Sequence, residues 1–310
     1  MKILFAAIVL YLSLTVQAFA AISCSMSVSS VNFGNIDVTS GSAVSTSGTL
    51  SLNCTGASTV NPNRMCVDID GGSSSDATSR IMLSGGNQLR YQLYSDAGLT
   101  TQWGSWSQGL YGGGVTWDVS CASTTCSATL PVYGNVLASQ NSTPPGDYSS
   151  TLNLFFTYNK NTINSCPDNG QGNSTTSFSA LATVQKTCTV SATNLDFGSV
   201  GLLISNVDAS NTVTVKCSNS TSYNVGLSAG NGSGATVAAR KMTNGANTVT
   251  YSLYNTAGRT TVWGNTIGTD TVTGTGSGSN QVLTVYGRVP PQTTPPPATY
   301  TDTIVVTVTY

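Results

Sequence analysis

Apolar and polar residues alternate with a period of two through much of this chain. Near its end Ile304, Val306, Val308 and Tyr310 share one face of an extended segment, and Thr303, Val305, Thr307 and Thr309 share the other. Leu152, Leu154, Phe156 and Tyr158 repeat the pattern, and so do Phe178, Ala180, Ala182 and Val184. Successive side chains of a strand point to opposite faces, so this alternation predicts half-buried antiparallel strands. Turn clusters such as Pro144-Pro145-Gly146 separate them. The first twenty residues follow a different rule. Lys2 precedes an apolar stretch, and Ala18, Phe19 and Ala20 form a small-x-small site, which predicts a secretory signal peptide over 1–20.

The strand pattern is written twice. Cys24, Phe33 and Gly34 match Cys188, Phe197 and Gly198 at an offset of 164 residues (188 − 24). Cys54 matches Cys217 at 163. Tyr91, Leu93, Tyr94, Trp103 and Gly104 match Tyr251, Leu253, Tyr254, Trp263 and Gly264 at 160. Val132, Tyr133 and Gly134 match Val285, Tyr286 and Gly287 at 153, and Tyr158 matches Tyr310 at 152. The steady drift places the insertions in the first copy. The repeat therefore predicts an all-β chain of two tandem immunoglobulin-like β-sandwich domains, 21–158 and 188–310, joined through a linker at 159–176. Trp103, Trp263, Tyr91 and Tyr251 occur in both copies and are assigned to the two cores.

Composition sharpens this picture. All 12 acidic residues are Asp, His is absent, and Ser, Thr, Val and 32 Gly take the places that Glu and Lys fill on helices. A net charge of −1 offers no electrostatic footprint for nucleic acid. Export makes the 8 cysteines readable as four disulfides. Equivalent cysteines pair equivalently, giving Cys24–Cys54 and Cys188–Cys217. Cys66, Cys121, Cys126 and Cys166 belong to the first copy alone and allow three pairings, of which Cys121–Cys126 with Cys66–Cys166 is taken as the expectation.

Candidate chemistry is sparse. Without His there is no His-based triad or general base. Asp68 and Asp70 share a strand face at about 6.5–7 Å, a spacing compatible with a glycosidase carboxylate pair but far commoner on an ordinary strand. No cofactor or metal is expected, and the chain reads as a non-enzyme. Subtracting one copy from the other isolates a different feature. From Trp103 to Val132 is 29 positions, against 22 from Trp263 to Val285. The surplus carries Trp106, Leu110, Tyr111 and Val115 among glycines. Aromatic side chains in loops give large contact area at low entropic cost, so these four are the expected adhesive loop.

Taken in order and repeated twice, these motifs resemble the spore coat protein U-like domain of archaic chaperone–usher pilins. They are the opening Cys-x8-Phe-Gly, the Tyr-x-Leu-Tyr with its Trp-Gly, the Val-Tyr-Gly strand and the closing segment 300–310. The resemblance spans nearly the whole mature chain, although the first copy departs in its ending and its extra cysteines. It implies a pilin-type sandwich that lacks its last strand and is completed by a donated one. Only Ala21, Ile22 and Ser23 follow the predicted cleavage and precede Cys24, too few for a donor strand. Segment 177–187, with Phe178, Ala180, Ala182 and Val184 on one face, is instead expected to complete the first domain in cis. The second domain would then lack its last strand and accept one.

The resemblance thus implies an exported fimbrial subunit, the tip adhesin of an archaic chaperone–usher pilus acting in surface attachment and biofilm formation. Its expected partners are a periplasmic chaperone, the usher and an adjacent pilin through the C-terminal domain, and a host or abiotic surface through the N-terminal domain. Its expected place is the cell surface or the extracellular space. A structural coat or matrix protein is the alternative, and a secreted carbohydrate-binding module is a third reading, which loss of glycan binding in Asp68→Asn would favour.

Overall fold

The structure, a computed structural model, describes residues 21–160, 165–167 and 170–310. The expected signal peptide and part of the expected linker lie outside the described residues. The first copy forms β1 (Ser23–Val28), β2 (Val31–Ile36), β3 (Val44–Thr55), β4 (Asn63–Ile69), β5 (Arg80–Ser84), β6 (Asn87–Tyr94), β7 (Val115–Val119), β8 (Cys126–Val136), β9 (Gly146–Asn159) and β10 (Gly172–Val184). The second forms β11 (Cys188–Ala192), β12 (Val207–Cys217), β13 (Ser222–Leu227), β14 (Arg240–Asn244), β15 (Asn247–Tyr254), β16 (Val272–Thr275), β17 (Gln281–Val289) and β18 (Val306–Thr309).

Equivalent strands pair equivalently. β1–β3–β8–β6–β5 in the first copy corresponds to β11–β12–β17–β15–β14 in the second, and β7–β4–β9 corresponds to β16–β13–β18. Both are antiparallel sandwiches, each with its own apolar core. Cys24 lies directly opposite Cys54 and Cys188 opposite Cys217, and both pairs are disulfide-bonded with Cα atoms 4.1 Å apart. Cys66 is bonded to Cys166 and Cys121 to Cys126.

The recurring motifs have local reasons. The Trp103 indole N–H donates to the Val67 carbonyl (3.0 Å), and that of Trp263 to Val225 (2.8 Å), tying the two sheets of each sandwich together. A side chain on the glycine of Val-Tyr-Gly would collide with the opening motif. A Cβ on Gly134 would lie 2.6 Å from Val31 and 2.9 Å from Phe33, and one on Gly287 2.9 Å from Leu195 and Phe197.

A buried arginine is also duplicated. Arg80 donates to the carbonyls of Asp70 (2.8 Å), Ile69 (3.0 Å) and Trp103 (2.8 Å), and also to Gln92. Arg240 donates to Ser228 (2.8 Å), Leu227 (3.0 Å), Trp263 (2.8 Å) and Val237 (2.7 Å). Burial pulls the Arg80 guanidinium down to about 10. The carbonyl shell is what makes a buried cation tolerable there.

The copies differ in β10. It pairs antiparallel with β9 over its whole length, from Gly172 opposite Tyr158 to Val184 opposite Gly146. Its other edge pairs in parallel with β2, Ala180 opposite Val31. β10 therefore fills the place between β9 and β2 in the first sandwich, whose two sheets meet at the single β5–β9 bridge of Leu83 with Ser149. It starts at Gly172, five residues before the expected 177, because Gly172, Asn173, Ser174, Thr175 and Thr176 pair with β9 through their backbones; the linker is correspondingly shorter than 159–176. No strand of the described residues occupies the equivalent place in the second copy, whose two sheets stay separate.

Candidate functional site

The closed groove of the first domain and the open groove of the second are best read side by side. In the first, Phe178, Ala180, Ala182 and Val184 are 5%, 0%, 4% and 2% exposed and join one continuous core. Thirty-two described residues are buried in that core, against thirteen in the second. In the second, Leu195, Phe197, Val207, Met242, Tyr300, Ile304, Val306 and Val308 are only half-buried. All of these but Val308 border one or both of two open cavities of about 710 and 670 Å³ between the opening motif and the closing segment. Residues 195–200 form no strand, although their counterparts in β2 do. The sequence pattern is the same in both copies; the difference is a partner strand. An extended segment holds its backbone groups in place only when a neighbour pairs with them.

Only Gln185, Lys186 and Thr187 separate β10 from β11. The junction is braced: Thr187 N–H donates to Ser218 Oγ (2.9 Å), Ser218 Oγ donates to the Gln185 carbonyl (3.1 Å), and Asn219 Nδ2 donates to Ser142 O (2.7 Å). Lys216 Nζ also reaches the Thr39 carbonyl. The second domain therefore abuts the end of the first that carries Thr39 and Ser142. The strand registers place the turns at 55–63 and 121–126, the end of β9 at Asn159 and the start of β10 at Gly172 at the opposite, distal end.

The expected adhesive loop lies on a side face instead of that distal end. Ser105 and Leu110 exchange backbone hydrogen bonds of 3.1 Å, closing a tight turn over the outer face of β4. Trp106 is half-buried against the backbone of Gly113 and Gly114, where a Cβ would come within 2.6 and 2.7 Å of its ring. Leu110 and Val115 are half-buried, the latter packed against the first core. Tyr111 is 7% exposed, its hydroxyl donating to the carbonyls of Asp76 (2.8 Å) and Ser79 (3.0 Å) and its ring 4.6 Å from the Arg80 guanidinium. That burial removes Tyr111 from any contact surface. Exposed apolar side chains lie elsewhere: Val60 at 87% in the distal 55–63 turn, and Phe155 at 39% beside Asp68 on the β9–β4 face.

Asp68 and Asp70 do different work from a catalytic pair. Asp70 accepts from Gly72 N (2.9 Å), Asn153 N (3.0 Å) and Asn153 Nδ2 (2.7 Å), which fixes a β4–β9 crossing. Asp68 Oδ2 accepts from Ser105 Oγ (3.1 Å) and so holds the Trp106 turn down, while Oδ1 is buried beside Gly114 without a partner. Among the described residues no group of three or more His, Cys, Asp or Glu gathers as a metal site would require.

Comparison with known proteins agrees with this architecture. Residues 11–154 and 174–307 each match the family model of the Spore Coat Protein U domain. The chain belongs to this family. It is a non-enzymatic member; the first match ends within β9, and the second begins within β10, the strand that packs into the first sandwich, and runs on through the second. Protein U of Myxococcus xanthus is 41% identical over 87 residues, covering 27% of this chain and 48% of that protein, so the chain spans about half the length of this relative. Among solved structures, the CsuC–CsuE chaperone–tip adhesion subunit complex of the archaic chaperone–usher Csu pili of Acinetobacter baumannii aligns with a TM-score of 0.53 at 16% identity, covering 93% of this chain and 100% of that one. The CupB6 tip adhesin of Pseudomonas aeruginosa aligns over 88% of this chain and 90% of its own at a TM-score of 0.40 and 13% identity. The alignment with the Csu complex shows that the fold is that of a chaperone–usher pilus subunit.

Proposed function

We propose that this protein is the tip adhesin of an archaic chaperone–usher pilus, exported to the cell surface and serving attachment and biofilm formation. The asymmetry of the two grooves carries the reading. β10 is the segment that leads into the second domain, where a pilin's donor extension would lie, and it is engaged in cis by the first domain. The second domain keeps an open groove, suited first to a chaperone strand and then to the donor strand of the adjacent pilin after passage through the usher. A subunit that accepts a strand and holds its own donor internally belongs at the end of a fibre.

The first domain then faces the target, host or abiotic. Val60 at the distal end and Trp106 with Phe155 on the side face are its proposed contacts, Leu110 and Val115 supporting the turn that carries Trp106. Exposed apolar side chains such as Val60 and Phe155, together with the half-buried Trp106 ring, suit a hydrophobic surface. The family relationship to spore coat protein U supports a second reading, a structural coat protein. Immunogold labelling of assembled fibres with an antibody to the first domain separates the two. Label confined to fibre ends is expected; label along the shaft, or on a coat without fibres, overturns the tip assignment.

A further inference from the structure

Two carboxylates line the open groove where the closed one has Asn32 and Ser150: Asp196, which accepts from Gly198 N–H in its own turn (2.8 Å) as Asn32 does from Gly34, and Asp302 on the closing segment. Thr243 bridges Thr301 in the second domain as Leu83 bridges Ser149 in the first, which fixes Asp302 as the counterpart of Ser150. In the first domain Ser150 lies opposite Ala180 of β10, and Ala180 lies opposite Val31 on its other side. A strand entering the second groove in the same register therefore places one residue between Asp302 and Leu195, the counterpart of Val31. In the cis strand that residue is alanine.

Asp302 lines the 670 Å³ cavity together with Leu195, Phe197, Met242, Leu253 and Ile304. Its Oδ1 accepts from the backbone N–H groups of Asn231 and Thr303 (2.8 Å each), and its Oδ2 accepts from the Tyr251 hydroxyl (2.8 Å). These three bonds hold the carboxylate in place, and a carboxylate offers about four acceptor positions. Arg240 acts on Asp302 through space, but its guanidinium is engaged by four backbone carbonyls. A strand closing the groove removes the remaining water from the carboxylate, and a buried acceptor left unmatched is costly.

We propose that Asp302 makes the second groove selective for an incoming strand whose facing residue donates a side-chain hydrogen bond. This rests on the reading of that groove as a strand acceptor. It has a consequence for assembly: β10, with Ala180 at that position, is a poor match for the second groove, so copies of the chain do not polymerise through their own donor strands.

The test uses the mature full chain and labelled peptides based on β10, with valine replacing Ser174 and Thr176 to face Val308 and Val306. One peptide carries Ala180→Thr and the other Ala180→Val, side chains of equal shape that differ in the hydroxyl. Binding is read by fluorescence anisotropy for the wild-type chain and for Asp302→Ser, which restores the first domain's residue. The expected result is about tenfold tighter binding of the threonine peptide to wild type, in line with a hydrogen bond to a charged group, and a preference within about threefold in Asp302→Ser. The ratio is taken within each protein, so a general loss of affinity in the variant cancels. Should Asp302→Ser fail to fold, the wild-type ratio still decides. Equal binding of both peptides to wild type overturns the selectivity while leaving the acceptor reading intact. Binding of neither peptide overturns the acceptor reading itself, and the selectivity with it.

Discussion

Truncating Phe178 to alanine isolates the contribution of the cis strand. Phe178 lies opposite Leu152, is 5% exposed, and belongs to the same core as Leu52, Trp103 and Phe156. Removing a buried benzyl group from a close-packed core costs about 3–5 kcal/mol, the lost transfer free energy plus the cavity left behind. Ser179 is its built-in control: it points to the other face of β10, where substitution by alanine stays within about 0.5 kcal/mol. For a domain of this size each kcal/mol moves the melting temperature by about 2–4 °C, so Phe178→Ala lowers the first-domain transition by roughly 6–20 °C. Tryptophan fluorescence reads that transition selectively, because Trp103, Trp106 and Trp117 lie in the first copy and only Trp263 in the second. A shift for Phe178→Ala no larger than that for Ser179→Ala refutes the argument, since a strand integral to the core does not lose a buried aromatic without consequence.

Three further outcomes follow from the same contacts. Replacing Cys66 and Cys166 together by alanine releases a link across 100 residues and lowers first-domain stability by about 2–4 kcal/mol in denaturant titration, with the second-domain transition unmoved. Arg80→Ala strands the carbonyls of Asp70, Ile69 and Trp103 and costs about 3–5 kcal/mol, and Arg80→Lys recovers little because one ammonium does not span the fork; chemical denaturation of the two variants checks both statements. Stability is flat from about pH 5 to 9, as the chain has no His or Glu and its cysteines are disulfide-bonded. It declines on further acidification. Asp118, held down by Arg64, and Asp208, held down by Arg288, have folded pKa values below their unfolded ones. Their contribution is thus present above about pH 4 and lost as pH falls through the folded values. Melting curves from pH 2 to 9 check this, and the loss is small because both carboxylates are exposed.

The two sandwiches and the segment that closes the first were legible because strand burial writes a period-two pattern into the sequence and the repeat fixes its phase. The polar start of β10, from Gly172 to Thr176, was not, because those residues join the sheet through their backbones and their side chains carry no apolar signal. Nor does alternation tell a paired strand from an unpaired one: Val31–Ile36 and 195–200 look alike, and only the former has β10 beside it. The Trp106 turn was misplaced for a related reason. Glycine-flanked aromatics read as exposed, whereas Tyr111 folds down onto Arg80 and Trp106 onto the Gly113–Gly114 backbone. The available signal was Arg80 itself, which matches Arg240 at the same offset of 160 as the core tryptophans. A cation repeated in step with a core is more telling than one standing alone.

The central claim is that the first groove is closed from within while the second waits for a strand. Native-state hydrogen exchange on the mature chain tests it most directly, because protection reports local opening segment by segment. The account predicts that amides of β9 and β10 exchange only at the global unfolding limit of the first domain. Those of residues 195–200 should exchange orders of magnitude faster, and slow sharply once a donor strand occupies the second groove. Exchange of β10 as fast as that of residues 195–200, or equal protection of residues 195–200 and β2 without any added strand, contradicts it.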